Sequence, residues 1–117
     1  MCRRGDIYYV DFGDDLSSRR QCGFRPAIVV SNNTANRYAP IVTVVPLTSK
    51  VKKKHFQPTH VLIGKQAASG LTRESMALAE QVVTIDKEKL VEYTGRILDP
   101  ETMEQLTRAL QIQIGAI

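Results

Sequence analysis

The sequence predicts a mainly β fold with some α: a small, twisted β-barrel closed or covered by one late helix. Three observations carry that prediction. Short runs of β-branched, aromatic and aliphatic residues recur along the chain between turn signals, giving five or six strands. Only the last stretch shows a sustained helical period behind a capping residue. At 117 residues the chain is long enough for one core without staples, so a single domain over 1–117 is expected.

The elements follow in order. Residues 6–12, DIYYVDF, are β-branched and aromatic and stop at Gly13-Asp14-Asp15, a strand and a turn. Residues 16–24 are polar and aperiodic, a loop. Arg25-Pro26 leads into the apolar run Ala27 to Ser31, a buried strand. Asn32, Asn33 and Asn36 mark the next loop. Residues 40–48, PIVTVVPLT, read as a third strand, in which Pro46 implies a bulge, an edge or an early end. The stretch 49–58 is a basic loop closed by Pro58, and 59–63, THVLI, is a fourth strand. Ser75 to Ile85 reads as one long, bent strand, and 92–98 as a weaker one. Asp86 is placed to cap a short turn over Lys87 to Leu90. In the terminal helix Asp99 is the N-cap, Pro100 suits the first position, and Glu101 favours the positive end. Met103, Leu106, Leu110, Ile114 and Ile117 form its apolar stripe.

Composition excludes several classes. Hydrophobic residues at 43% and charged residues at 24% are globular values and rule out a disordered chain. No run approaches the apolar length of a membrane helix, so no membrane partner is expected. The basic start, Met1 to Asp6, runs into a stretch broken by Asp11, Asp14 and Asp15, which is no signal peptide; a cytoplasmic protein is expected. Cys2 and Cys22 form no CxxC pair and are expected as free thiols. The net charge of +4 is unevenly spread: residues 1–73 hold 12 Lys/Arg against 4 Asp/Glu, and residues 74–117 hold 4 against 8. A basic front half suits a polyanion, although basic surfaces have other uses, solubility among them.

Metal chemistry finds no motif. There is no HExxH, no CxxC and no EF-hand loop. His55 and His60 stand five apart across Pro58 and read as surface histidines. The carboxylates lie mostly in turns or on the terminal helix, and Asp6 and Asp11 fall on opposite strand faces, unlike a two-metal cluster. No GxSxG or glycine-rich phosphate loop appears; Gly64-Lys65 and Ser69-Gly70 read as turns. What remains is the junction Gly23-Phe24-Arg25-Pro26 and the strand end Pro46-Leu47-Thr48-Ser49. An arginine at a barrel mouth can grip a phosphate with two donors, and Thr or Ser hydroxyls can hold the remaining oxygens. The plainer reading is that Arg25 merely ends a strand and Thr48 merely starts a turn.

The same junctions carry a family resemblance. Arg4-Gly5-Asp6-Ile7-Tyr8 through Asp11, Gly23 through Asn32, Pro46-Leu47-Thr48-Ser49, Thr59-His60-Val61, and Glu80 through Lys87 with Leu90 make the chain resemble the MazF/PemK (Kid) toxins, or mRNA interferases. The resemblance spans nearly the whole chain and implies an SH3-like barrel, a homodimer, and sequence-selective cleavage of single-stranded RNA without metal or other cofactor. It implies attack by the RNA's own 2′-OH, leaving a 2′,3′-cyclic phosphate and a 5′-OH. Arg25 matches the family's catalytic arginine and Thr48 its catalytic threonine. A guanidinium suits a dianionic transition state but is a poor base. Many members carry Glu-Gln where this chain has Arg20-Gln21, which leaves the general base open, and Val83 replaces a basic residue of several relatives. RNA contacts are implied for Arg20, Gln21, Ser49 and Gln81. Lys52, Lys53 and Lys54 are placed to track phosphates, and Phe56 to stack on a base; a solvated loop and a core contact are the plainer alternatives. A MazE-like antitoxin, acidic and partly disordered, is the implied protein partner and would compete with RNA for the basic groove.

Two other functions fit the same architecture. A CcdB-like toxin would poison gyrase without catalysis, through the terminal helix. A plain RNA-binding barrel would bind without cutting. The Arg25 and Thr48 pair argues against both, on resemblance.

Overall fold

The computed structural model describes residues 1–14, 22–51 and 57–117. Arg20, Gln21, Lys52, Lys53 and Phe56 lie outside the described residues, as do Lys54 and His55.

Seven strands and two helices order the chain among the described residues: β1 (Asp6–Asp11), β2 (Phe24–Val29), α1 (Asn33–Tyr38), β3 (Ile41–Thr48), β4 (His60–Ile63), β5 (Ser75–Leu78), β6 (Val83–Asp86), β7 (Leu90–Arg96) and α2 (Pro100–Gln113). The sheet is antiparallel and runs β4-β5-β3-β2-β1-β7, with β6 also paired to β3. It is open rather than a closed barrel. Among the described residues β7 and β4 form no ladder, and α2 instead packs over β4 and the 3-10 turn Ala79–Gln81.

Strand periodicity sorts the core. In β2 and just beyond, Ile28 and Val30 join the cluster that holds Leu106 and Ala109 of α2, while Ala27 and Val29 join a second cluster. In β3, Val45 and Leu47 go to the first, and Val42 and Val44 to the second. Successive side chains point to opposite faces, so the stretches 27–30 and 44–47 are apolar on both faces because both faces are covered.

Several expectations change. The predicted strand from Ala27 begins earlier, because Phe24, Arg25 and Pro26 pair with Asp11, Val10 and Tyr9. The loop predicted around Asn32, Asn33 and Asn36 is α1. Asn32 caps it by accepting from the Ala35 amide at 2.8 Å, and buried Asn36 donates to the Ser31 carbonyl at 2.8 Å. The single strand predicted over 75–85 is two, broken by the Ala79–Gln81 turn. Its first half pairs with β4 and the end of β3, its second with the start of β3. Pro46 lies where that edge of β3 passes from β6, paired through Val44, to β5, paired from Leu47, so a missing amide falls at a change of partner.

Asp86 precedes the 3-10 turn Lys87–Lys89, without a side-chain cap bond. Helix α2 starts as predicted: Asp99 accepts from the Glu101 amide at 3.2 Å and the Thr102 hydroxyl at 3.0 Å. Its buried face is Thr102, Leu106 and Ala109. Met103 and Leu110 pack partly, but Ile114 and Ile117 are 73% and 60% exposed, because the helix ends at Gln113 and Gly115 turns away with φ +75°. Both cysteines are free, Cys2 buried and Cys22 half-buried. No helix among the described residues is long and apolar enough to cross a membrane.

Candidate active site: a cationic cleft at the ends of β2 and β3

Strand register brings Arg25 and Thr48 together. β2 and β3 pair antiparallel with Ala27 opposite Pro46. The ladder ends at that pair, but the same register continued by two residues would set Arg25 opposite Thr48, and both line one cleft of about 390 Å³. Distance in sequence is thus cancelled by a hairpin-like pairing, which is why a strand start and a strand end share a site.

The local bonds leave both side chains ready for an anion. Arg25 Nε donates to the Cys22 carbonyl at 3.2 Å, which fixes the guanidinium plane. Its two terminal nitrogens have no hydrogen-bond partner among the described residues. Thr48 is 5% exposed, and its hydroxyl oxygen accepts from the Lys50 amide at 3.2 Å. The hydroxyl hydrogen is left to donate. Ser49, exposed beside it, lines the same cleft.

The rest of the lining was not anticipated from the sequence. Tyr9 comes from β1 and Thr94 from β7, the loop before β5 adds Thr72 and Arg73, and Ser75 opens β5. Among the described residues the cleft therefore carries two guanidinium groups and several hydroxyls, and no carboxylate, imidazole or thiol. No local signal marks Arg73, which sits in an aperiodic stretch. Only the close approach of its loop to β7 brings it here.

Gln81 does not share this cleft. It lines a second one, of about 360 Å³, with Asp11, Phe12, Ile41, Pro46, Val83, Ile85, Asp86 and Lys89. Its turn is held from behind by His60, which is not a surface residue but 6% exposed. His60 Nε2 meets Glu80 Oε2 at 2.9 Å, and the Thr59 hydroxyl donates to Glu80 Oε1 at 3.0 Å. The His60 Nε2 is thereby paired, while its Nδ1 is buried with no hydrogen-bond partner among the described residues. A five-residue spacing across a proline gave no hint of it. Among the described residues no group of three or more His, Cys, Asp or Glu is placed to hold a metal.

The family model of PemK-like, MazF-like toxins of type II toxin–antitoxin systems matches residues 3–114, and the chain belongs to that family. Among its relatives, Endoribonuclease EndoA of Bacillus subtilis (strain 168) is 37% identical over 117 residues, covering 100% of this chain and 97% of that protein. An endoribonuclease solved in complex with its cognate antitoxin, from mycobacterial species, is 30% identical with a TM-score of 0.80, covering 100% of this chain and 98% of that one. MazF (Form-I) from Deinococcus radiodurans, at 19% identity and a TM-score of 0.78 over 97% of this chain and 96% of that one, shares the fold.

Proposed function

We propose that the chain is a single-domain toxin endoribonuclease that cuts single-stranded RNA in the Arg25–Thr48 cleft and is silenced by a cognate antitoxin. The observation that carries this reading is the cleft lining: guanidinium and hydroxyl groups, with no acid among the described residues. Such a lining attracts a phosphodiester and repels none of its charge.

The reaction follows from RNA's own structure. The 2′-oxygen attacks the adjacent phosphorus, losing its proton as the new P–O bond forms. The bond to the 5′-oxygen breaks, and that oxygen takes up a proton. The ends are a 2′,3′-cyclic phosphate and a 5′-OH. Negative charge grows on the non-bridging oxygens at the transition state, and Arg25 is the group that meets it. The Thr48 hydroxyl donates to one of those oxygens and helps fix the phosphate for in-line attack. The donors of this cleft suit charge neutralisation by arginine, which agrees with a metal-independent route. Gln81, in the second cleft, offers an amide donor and acceptor for reading a base, the basis of sequence selection. Ser49 would touch the backbone beside Thr48.

Relatives solved or named as endoribonucleases, one with its antitoxin bound, support both the activity and the partner. The exposed Ile114 and Ile117 at the end of α2 offer apolar surface to a second copy, in keeping with a homodimer. The test is cleavage of a long unstructured RNA by antitoxin-free protein in excess EDTA, with both ends identified. Discrete cuts bearing the cyclic phosphate and 5′-OH are expected. RNA left intact across diverse sequences would sink the ribonuclease reading in favour of binding alone.

A further inference from the structure

We infer that Arg73 forms a second phosphate-binding position in the cleft, holding the phosphate next to the one that is cut. The inference rests on the ribonuclease reading and extends it to the length of backbone the cleft must grip.

The loop that carries Arg73 is anchored on β7. Ala68 bridges to Ile97, the Ser69 amide donates to the Arg96 carbonyl at 2.9 Å, and the Arg96 amide donates to the Ser69 hydroxyl at 2.9 Å. Two glycines let the backbones touch. A Cβ on Gly70, whose φ is +81°, would sit 2.0 Å from the Thr94 carbonyl oxygen, and one on Gly95 would sit 2.2 Å from that of Ser69. On the far side the Ser75 hydroxyl donates to the Arg73 carbonyl at 3.3 Å as the chain enters β5. The backbone at Arg73 is therefore held from both directions, unlike a free surface loop.

The side chain it presents is a cation with no acidic partner among the described residues. Arg73 is exposed, lines the cleft and has no carboxylate within ion-pair distance among the described residues. The neighbouring Glu74 does not line the cleft. Arg25 comes from β2 and Thr48 from β3, whereas Thr72 and Arg73 come from the loop before β5 and Ser75 from the first position of β5. At about 390 Å³ the cleft falls within the roughly 300–1,000 Å³ of sites that enclose drug-sized ligands, so a nucleotide with two phosphates fits better than a lone phosphate. Two guanidinium groups in one cleft suit two consecutive phosphates, one reacting and one gripped.

The test uses a short RNA containing the mapped cut. Arg73→Ala should raise KM about tenfold while kcat stays within about twofold, and the plot of log KM against log salt should be shallower by about 0.7. Arg73→Lys should restore the salt slope but only part of the affinity, since an ammonium lacks the planar fork. A neutral methylphosphonate is then placed at each linkage flanking the cut in turn. At one of them the wild-type KM should rise while the Arg73→Ala KM stays the same. Equal KM and salt slope in the two proteins would overturn the role of Arg73. So would a fall in kcat without a change in KM, which would move Arg73 to the reacting phosphate. Failure of the wild-type protein to cut any RNA would instead overturn the ribonuclease reading beneath it.

Discussion

The two clefts of this protein are nearly equal in volume, about 390 and 360 Å³, and opposite in chemistry. The first is lined by Arg25, Arg73 and hydroxyls, with no acid among its described residues. The second is walled by Phe12, Ile41, Pro46, Val83 and Ile85, with Asp11 and Asp86 beside Lys89. A polyphosphate would be repelled by the carboxylates of the second and drawn to the first. On the proposed function, the second would hold a base against apolar walls, with Gln81 beside it. Cleft size thus says little about where bonds break, whereas the sign of the charge and the supply of donors say a good deal. On the proposed function, the contrast would divide labour between a reacting cleft and a reading cleft.

The strongest way to break that division is at Arg25. Arg25→Ala should lower kcat by about 10²–10³-fold with the fold intact, since one preorganised donor to a developing oxyanion is removed. Single-turnover cleavage beside a thermal melt would check it, and full activity would remove Arg25 from the chemistry. Next comes Thr48→Val, which keeps the shape and deletes the hydroxyl. A lost hydrogen bond to a charged group is worth about 1.5–3 kcal/mol, so kcat/KM should fall about 10–100-fold. Gln81→Ala sharpens the other side. It should relax the choice among cut sequences by about tenfold while leaving kcat on the preferred site unchanged. A competition assay over mixed RNA sequences measures this, and a kcat loss like that of Arg25→Ala would dissolve the separation of roles. The smallest effect lies away from both clefts. Asp99→Ala removes the α2 cap and should cost about 1 kcal/mol of stability by denaturant melt, with cleavage kinetics unaltered.

The sequence was most legible where a local pattern and the tertiary outcome agree. DIYYVDF, THVLI and the Asp99-Pro100-Glu101 start are strands and a helix in place, because their neighbours simply cover the faces their periods define. It misled where tertiary contacts decide. The asparagine cluster read as a loop, yet burial of Asn36 with its partners on Ser31 turns it into α1. Ser75 to Ile85 read as one strand because apolar content does not show a change of pairing partner. Ile114 and Ile117 matched the helical period but lie beyond the last helical residue, Gln113. At the site, Arg25 and Thr48 were legible through resemblance, and the register explains their meeting. Arg73, Tyr9 and Thr94 were not legible: the close backbone approach at Gly70 and Gly95 brings the Arg73 loop to Thr94, and Tyr9 arrives through the register of β1 with Pro26 of β2, neither of which any local spacing encodes.

Strand β3 has a further bearing on how this chain can change. Ile41 and Pro46 contribute to one cleft and Leu47 and Thr48 to the other, on a single eight-residue strand. Its side chains alternate with period two, so inserting or deleting one residue near Val44 would turn every later side chain to the opposite face. Thr48 would leave Arg25, the Leu47 and Val45 surfaces would leave the core beneath α2, and the passage from β6 to β5 would fall out of step. Side chains along this strand can therefore be replaced far more freely than its length can be altered.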